Sequence, residues 1–324
     1  MKLVKSLEEF NYNNLIVIVG PTGVGKTEIS VKLAKEINGE IISADSLQIY
    51  KELNIGTAKP TEEQRSIVKH HLIDVYEPTE EVNAFHYSKM CRETIRLIIS
   101  NNKIPIIVGG TGLYIKATID GIFESPPIDK NVRMLLEEKC KKNGLDFLFN
   151  ELKKVDYLSA KRIHTNDKFR IIRALEVYES TGVPISKLQQ FRKPLEGINV
   201  IMIGIDMDRA YLYKRINERV DLMIKNGLVD EVKRIISKYG SSNIPALKGL
   251  GYRQIYDYLK GKCSLDKAID LTKRDTRRYA KRQITWFKKD KRIVWIKYNE
   301  NIDKNVDEIL NIIKNHQSNF QKET

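Results

Sequence analysis

The segment of residues 20–27 constrains the fold more strongly than any other part of the sequence. It reads Gly-Pro-Thr-Gly-Val-Gly-Lys-Thr and satisfies the pattern G-x-x-x-x-G-K-[ST], in which a glycine-rich turn directs backbone N–H groups at phosphate oxygens. A β-branched run at residues 15–19 precedes it, and a helical pattern at residues 27–37 follows it. This context favours a phosphate-binding loop over the alternative, an ordinary glycine-rich turn between a strand and a helix. The predicted phosphate-binding residues are Gly20, Pro21, Thr22, Gly23, Val24, Gly25, Lys26 and Thr27.

Strand patterns alternate with helical patterns in both halves of the sequence. Short apolar runs typical of buried strands occur at residues 15–19, 40–44, 71–75, 104–108, 201–205 and 292–296. A helical pattern at residues 85–100 precedes the fourth of these runs. Because alternating strands and helices indicate a parallel sheet, we predict an α/β fold.

The middle of the chain lacks such strand patterns. Helical periodicity occurs instead at residues 132–142, 146–155 and 167–181. We therefore predict a helical insertion domain at residues 121–198, within a core domain formed by residues 1–120 and 199–324.

Composition limits the kind of partner and the compartment. The formal net charge of +14 at pH 7 favours an anionic partner such as nucleic acid or a phosphorylated metabolite. Three isolated cysteines exclude a disulfide framework and a Cys-x-x-Cys site. No apolar run is long enough to span a bilayer, and Glu8 and Glu9 argue against a signal peptide. We expect a cytoplasmic protein without membrane association, and nothing in the sequence indicates an obligate protein partner.

The phosphate-binding loop leaves several reactions open. Nucleotide hydrolysis by the usual route needs an acidic residue at the end of a later strand, but residues 104–108 run into Gly-Gly-Thr-Gly at residues 109–112. This disfavours an RNA-binding NTPase switch. A metabolite or nucleoside kinase and a transferase that acts on free adenine nucleotides remain alternatives, although neither needs the basic segment that the sequence carries at residues 273–292.

Side chains at the carboxyl ends of the predicted strands should face the phosphate-binding loop. Asp45 follows the second strand, Asp74 lies at the end of the third, and Thr111 comes shortly after the fourth. Asp45 is a candidate general base, with a helix N-cap or an outer-shell metal partner as the alternatives. Thr111 is either a hydroxyl near the reacting group or a helix cap. Asp74 receives no assigned role.

With these residues placed, the sequence resembles the tRNA dimethylallyltransferase (isopentenyltransferase) family in its shorter bacterial form, which lacks a carboxyl-terminal zinc-finger extension. Besides the phosphate-binding loop, the matching segments are SADSLQIY (43–50), NIGTAKP (54–60), HHLID (70–74), GGTGLY (109–114), the residues 166–167, 170 and 173–177, GYRQ (251–254) and KRQITW (281–286).

This resemblance implies a P-loop kinase-like parallel sheet core with a helical insertion domain that closes over the anticodon arm of tRNA. It implies transfer of the dimethylallyl group of dimethylallyl diphosphate to N6 of the adenosine 3′-adjacent to the anticodon, with Mg²⁺ required. The phosphate-binding loop would then hold the diphosphate, with Lys26 and a Mg²⁺ ion on Thr27 stabilising its charge. Asp45 would deprotonate the amino group and Thr111 would bind near the reacting centre. Arg219 would clamp the diphosphate, unless it is a solvated helix arginine.

The tRNA would be held by polar and basic side chains. Residues 273–292 contain ten Lys or Arg against two Asp, and a helical projection places most of the positive charges opposite Tyr279, Trp286 and Phe287. A solvated charged face is the alternative. Three arginines of the insertion are further candidates, with surface salt bridges as their alternative. The candidate tRNA-binding residues are Asp45, Ser46, Leu47, Gln48, Thr111, Arg133, Arg170, Arg173, Lys248, Arg253, Gln254, Lys281, Arg282 and Gln283.

Overall fold

The computed structural model of the protein describes residues 13–124, 129–240 and 244–323. Its strands are β1 (Asn14–Val19), β2 (Gly39–Ala44), β3 (His70–His71), β4 (Ile104–Gly109), β5 (Asn199–Asp206) and β6 (Ile293–Lys297). They form one sheet in the order β3-β2-β4-β1-β5-β6, and every pair of neighbours is parallel. The predicted α/β fold with a parallel sheet is confirmed.

Helices connect the strands and fill the middle of the chain. They are α1 (Lys26–Glu36), α2 (Glu62–Ile67), α3 (Ala84–Ser100), α4 (Gly112–Asp120), α5 (Lys130–Asn143), α6 (Leu145–Val155), α7 (Tyr157–Arg162), α8 (Lys168–Thr181), α9 (Ile185–Leu188), α10 (Arg209–Lys225), α11 (Leu228–Tyr239), α12 (Tyr252–Leu259), α13 (Leu265–Phe287) and α14 (Ile302–Glu323). Short 3₁₀ turns occur at Gln189–Phe191 and Pro245–Lys248. Within the described ranges, none of these helices has the length and apolar character needed to cross a lipid bilayer.

The chain divides into two compact units, Met1–Ile115 with Glu196–Thr324, and Lys116–Leu195. In the first unit, the strands β1, β2 and β4 have six residues each, and all of these residues are buried, because helices cover both faces of a parallel sheet. Side chains of α1 and α14, such as Leu33 and Ile309, complete this core.

Among the described residues of the second unit, all regular secondary structure is helical. Its core contains Leu136 of α5, Leu152 of α6 and Ile171 of α8, each at most 4% exposed. Asp129, Asp156 and Asp167 cap the amino ends of α5, α7 and α8 through side-chain hydrogen bonds to backbone N–H groups. The predicted insertion interval, residues 121–198, overlaps this unit with both boundaries shifted by a few residues.

The third predicted strand is much shorter than expected. The sequence predicts a strand at residues 71–75, but pairing stops at His71, and both Leu72 and Asp74 have φ of 58°. The Asp74 carboxylate forms ion pairs with Lys59 and Arg65, and these contacts fix the turn that ends the strand. Asp74 is therefore a structural acid.

The register of the sheet brings three loops to one edge. Val19 of β1 pairs with Gly109 of β4, which also pairs with Ala44 of β2. The residues that follow these positions leave the sheet side by side. The phosphate-binding loop, Asp45 and residues 110–111 consequently surround one site.

Candidate active site

A cleft of ≈ 490 Å³ lies at this edge of the sheet. The phosphate-binding loop forms one wall, and side chains from β2, α10 and α13 form the others. Asp45, Arg219 and Gln283, which are far apart in the sequence, all line it. The predicted meeting of Lys26, Asp45 and Arg219 is therefore present in the structure.

The phosphate-binding loop depends on its glycines. Gly23 and Gly25 have φ of 87° and 97°, in the left-handed region that side chains rarely adopt. The Lys26 ammonium donates hydrogen bonds of 2.9 Å to the carbonyl oxygens of Gly20 and Pro21. Burial and the positive charge of Arg219 together lower the pKa of Lys26 to about 7, although the nearby Asp45 opposes this shift. An anion in this loop would restore the pKa of the lysine.

Arg219 of α10 faces the cleft. Its guanidinium lies 3.5 Å from the Thr22 hydroxyl and 3.4 Å from the Thr57 carbonyl oxygen. No carboxylate of the described residues forms an ion pair with it. Burial lowers the pKa of this guanidinium, while Asp45 raises it. The alternative of a solvated helix arginine is wrong, because Arg219 lines the cleft beside the phosphate-binding loop.

Asp45 combines a local structural role with a place in the cleft. Its Oδ1 atom accepts hydrogen bonds from the backbone N–H groups of Leu47 (2.9 Å) and Gln48 (3.3 Å), which caps the turn after β2. Across this turn, Thr111 Oγ1 accepts a hydrogen bond of 3.1 Å from the Ser46 N–H. The turn therefore fixes Asp45 and Thr111 relative to each other.

Gln48 extends this hydrogen-bond network. Its amide oxygen accepts from the Ser43 hydroxyl at 2.9 Å, and its nitrogen donates to the Thr57 carbonyl oxygen at 3.2 Å. The Thr57 carbonyl oxygen thus lies between Gln48 and Arg219. Gln48 connects the turn after β2 to the loop that contacts Arg219.

Glu231 is a site residue that sequence reasoning missed. Its carboxylate is 1% exposed and accepts hydrogen bonds from the backbone N–H groups of Asn54, Ile55 and Gly56 (2.9–3.2 Å). The Tyr252 hydroxyl donates a further bond of 2.6 Å. Glu231 therefore fixes the loop that carries Thr57. The sequence contained a sign of this role. One helical face is formed by Leu228, Glu231, Val232 and Ile235, and a carboxylate is unexpected on such an apolar face.

One face of α13 closes the site. Thr272, Thr276 and Tyr279 line a second cavity of ≈ 200 Å³, which shares Thr22, Asp45, Thr57 and Arg219 with the cleft. Burial and the negative charge of Asp45 raise the pKa of Tyr279 to about 12, although its side-chain hydrogen bonds with Thr111 and Gln283 oppose this shift. The apolar residues that line this cavity are Leu47, Ile216, Val220, Met223 and Leu250.

Two of the predicted tRNA-binding glutamines are buried in hydrogen-bond networks. Gln283 is 6% exposed and accepts from the Thr22 N–H at 2.9 Å while it donates to the Gly110 carbonyl oxygen at 3.0 Å. Gln254 is 3% exposed and bonds the Gly251 N–H and the Asp275 carboxylate. Both side chains hold loops of the site in place. By contrast, Lys248, Arg253, Lys281 and Arg282 are exposed.

The three arginines predicted in the insertion form ion pairs within their own unit. Arg133 and Arg173 lie 3.7 and 3.1 Å from the Glu176 carboxylate, which is fully buried, and Arg170 pairs with Asp167. The contacts of these three arginines are therefore salt bridges, as the alternative expected. A role in tRNA binding stays a prediction for them.

A metal ion would have to be held by oxygen atoms of the cleft. Among residues 13–124, 129–240 and 244–323, no group of three His, Cys, Asp or Glu side chains could hold one. The Thr27 hydroxyl lines the cleft beside Lys26. This arrangement fits Mg²⁺, which commonly binds through one or two protein oxygens and the phosphates of a substrate.

Comparisons with known proteins show the family of this chain. The family model described as IPP transferase matches residues 48–290. The chain belongs to the IPP transferase family. A tRNA dimethylallyltransferase from Acetivibrio thermocellus is 48% identical over 290 residues, which cover 89% of this chain and 93% of that protein.

Solved structures of related enzymes have the same fold. A full-length tRNA isopentenylpyrophosphate transferase from Bacillus halodurans matches with a TM-score of 0.70 and 39% identity, covering 96% of this chain and 99% of that one. A eukaryotic dimethylallyltransferase acting on tRNA matches with a TM-score of 0.72 and 28% identity, covering 89% of this chain and 74% of that one. The predicted family membership is confirmed.

Proposed function

We propose that this IPP transferase family member transfers the dimethylallyl group of dimethylallyl diphosphate to N6 of the adenosine 3′-adjacent to the anticodon of tRNA. The observation that carries the proposal is the meeting of Lys26, Arg219 and Asp45 at one cleft. Two cations there suit a diphosphate, and the carboxylate suits a nucleophile that must lose a proton. Because tRNA is the proposed acceptor, we place the activity in the cytoplasm.

The phosphate-binding loop would hold the leaving group. As the C1–O bond of the donor breaks, the electron pair leaves with the diphosphate, and Lys26 and Arg219 stabilise its growing negative charge. Arg219 is suited to this because none of the described carboxylates pairs with it. Thr27 would hold Mg²⁺ together with phosphate oxygens, and the ion would supply further charge neutralisation on the diphosphate.

Asp45 would act on the nucleophile. The lone pair of adenine N6 is delocalised into the ring, so N6 attacks C1 effectively only when it is held in line and loses a proton as the N–C bond forms. One carboxylate oxygen of Asp45 already caps the turn after β2, which fixes the orientation of the group. The proton passes to this carboxylate, and diphosphate is released.

The second cavity would hold the dimethylallyl group. It adjoins the cleft through Asp45 and Arg219, and its lining includes Ile216, Val220 and Met223. An isoprenoid chain favours such apolar walls because its burial removes apolar surface from water. The donor would thus lie with its diphosphate in the cleft and its carbon chain beside Asp45.

A donor comparison tests the proposal. Purified protein is incubated with unmodified tRNA, Mg²⁺ and either dimethylallyl diphosphate or ATP, and the consumption of each donor is measured. The proposal expects dimethylallyl diphosphate to be consumed in a tRNA-dependent manner with release of diphosphate. Consumption of ATP alone would exclude the transferase and favour a kinase or an NTPase.

A further inference from the structure

Trp286 of α13 lies outside the packed core. The helical projection predicts that it packs opposite the charged face, together with Phe287. Phe287 is 2% exposed, but Trp286 is 41% exposed. The prediction is therefore wrong for Trp286, whose indole contacts Gly112 at the start of α4, where a Cβ atom would overlap with it.

The indole forms part of a small exposed apolar surface. Leu113, the residue after Gly112, is 49% exposed. Thr111, the residue before it, has its hydroxyl in the hydrogen-bond network with Ser46 and Tyr279. Trp286 consequently lies next to the segment that contains a predicted catalytic hydroxyl.

Positive charge surrounds this surface. Arg282 and Lys289, four residues before and three residues after Trp286, are exposed, and none of the described carboxylates pairs with them. The Arg282 guanidinium lies over the Tyr279 ring, 5.7 Å from its centroid. Tyr279, Arg282 and Trp286 follow one another at intervals of three and four residues, so they share one face of the helix.

This face leads from the cavity to solvent. Tyr279 lines the cavity that contains Asp45, and Trp286 lies seven residues further along α13, a rise of about 10 Å. An exposed aromatic ring flanked by unpaired cations is the usual binding surface for an unstacked base of single-stranded RNA. This separation between Tyr279 and Trp286 suits a nucleotide close to the one that enters the cavity.

We infer that Trp286 is a stacking surface for a nucleobase next to the target adenosine, with Arg282 and Lys289 binding the adjoining phosphates. This inference rests on the proposed function and assigns a partner to a residue outside the catalytic cleft. When the target adenosine leaves the anticodon loop, the face of a neighbouring base loses its stacking partner. The indole replaces that partner.

Tryptophan fluorescence can be made to report on Trp286 alone. The chain has two tryptophans, and Trp295 lies on β6 against Gly204, so Trp295→Phe leaves Trp286 as the only indole. Unmodified anticodon stem-loop RNA should quench the emission of this variant as it binds. The same RNA with abasic nucleotides on both sides of the target adenosine should bind more weakly and leave the emission nearly unchanged.

Kinetics provide a second readout. Trp286→Ala should raise the KM for the stem-loop RNA about 10-fold to 100-fold, leave the KM for dimethylallyl diphosphate nearly unchanged, and be rescued in part by Trp286→Phe. Diphosphate binding and the melting temperature check that both variants are folded. RNA that is bound and modified normally, without quenching and with an unchanged KM in Trp286→Ala, would overturn the inference and leave the proposed function intact. Absence of any tRNA modification by the unaltered protein would instead exclude the proposed function.

Discussion

The side-chain amide of Gln283 accepts a hydrogen bond of 2.9 Å from the backbone N–H of Thr22, although 261 positions separate the two residues. The other end of the amide donates to the Gly110 carbonyl oxygen at 3.0 Å. One side chain of the basic helix α13 thus joins the phosphate-binding loop to the loop after β4. This connection makes the shape of the cleft depend on a helix near the carboxyl end of the chain.

Replacing Gln283 by Leu should therefore affect both stability and donor binding. A buried N–H and a buried carbonyl would each lose a partner, and we expect a loss of about 2 kcal/mol in the free energy of unfolding. The KM for the donor should rise because Thr22 is no longer held. Denaturant titration and initial rates check this, with the exposed Thr285→Ala on the same helix as the control. Equal stability of both variants would show that the connection contributes nothing.

Asp45→Asn separates the two roles of Asp45. Asparagine retains an oxygen that can cap the turn after β2, but it cannot accept the proton from N6. We expect kcat to fall by about 10² to 10⁴-fold, with little change in melting temperature or in tRNA binding. Asp45→Ala should also lose the turn cap, at a cost of about 1 kcal/mol. Full activity of Asp45→Asn in a single-turnover assay would remove this carboxylate from the mechanism.

Donor binding should depend on pH through Lys26. The pKa of the lysine is lowered to about 7 in the free protein, and a bound diphosphate raises it because the charged form gains a partner. Above pH 7 the donor therefore binds with proton uptake, and its affinity falls as the pH rises, by up to about 10-fold per pH unit. Calorimetry in buffers of different ionisation enthalpy measures this uptake.

The matched variant for this experiment is Lys26→Arg. Its guanidinium stays charged over the same range, so proton uptake by the protein should disappear, while ionisation of the diphosphate itself contributes equally to both proteins. Identical proton uptake by the two proteins would contradict the assignment.

Arg219→Met should weaken donor binding without destabilising the fold. A partly buried guanidinium without an ion pair contributes little to folding, because its desolvation opposes its hydrogen bonds. We expect donor affinity to fall by about 10²-fold, equivalent to about 2.7 kcal/mol, and the melting temperature to stay equal or rise. The exposed Lys214→Met on the same helix is the control. A large decrease in melting temperature for Arg219→Met alone would assign this residue a structural role.

Glu231→Gln, unlike Arg219→Met, should destabilise the fold. The amide places N–H groups where the loop of residues 54–56 already presents N–H donors, so we expect the free energy of unfolding to fall by about 3 kcal/mol. The adjacent exposed Asp230→Asn is the control and should change stability by less than about 0.5 kcal/mol. Thermal melting of both variants checks the difference.

Local sequence patterns predicted most of the sheet and the phosphate-binding loop. Strands such as β1 and β4 are β-branched runs that end at glycine, and this signal does not depend on the rest of the chain. The length of the third strand was overestimated because the ion pairs of Lys59 and Arg65 with Asp74 determine the turn that ends the strand. Neither cation is adjacent to that residue in the sequence.

The candidate site was predictable where a motif identifies it. Lys26 and Asp45 lie next to predicted strand ends, so their meeting follows from the topology of a parallel sheet. The contacts of Glu231 with the loop of residues 54–56 and those of Gln283 with Thr22 and Gly110 join segments separated by 170 or more positions, and no local pattern specifies such pairs. Trp286 was misplaced for the same reason, since its packing partner is the distant Gly112.

The most direct test is to locate the product on the RNA. Unmodified tRNA is incubated with the protein, Mg²⁺ and dimethylallyl diphosphate, and the digested nucleosides and oligonucleotides are analysed by mass spectrometry. We predict one added C5H8 unit on the adenosine 3′-adjacent to the anticodon and one diphosphate released per unit added, with both products formed about 10²-fold to 10⁴-fold more slowly by Asp45→Asn. Unmodified adenosine at that position with the active protein, or the same product from Asp45→Asn at an undiminished rate, would contradict the proposed mechanism.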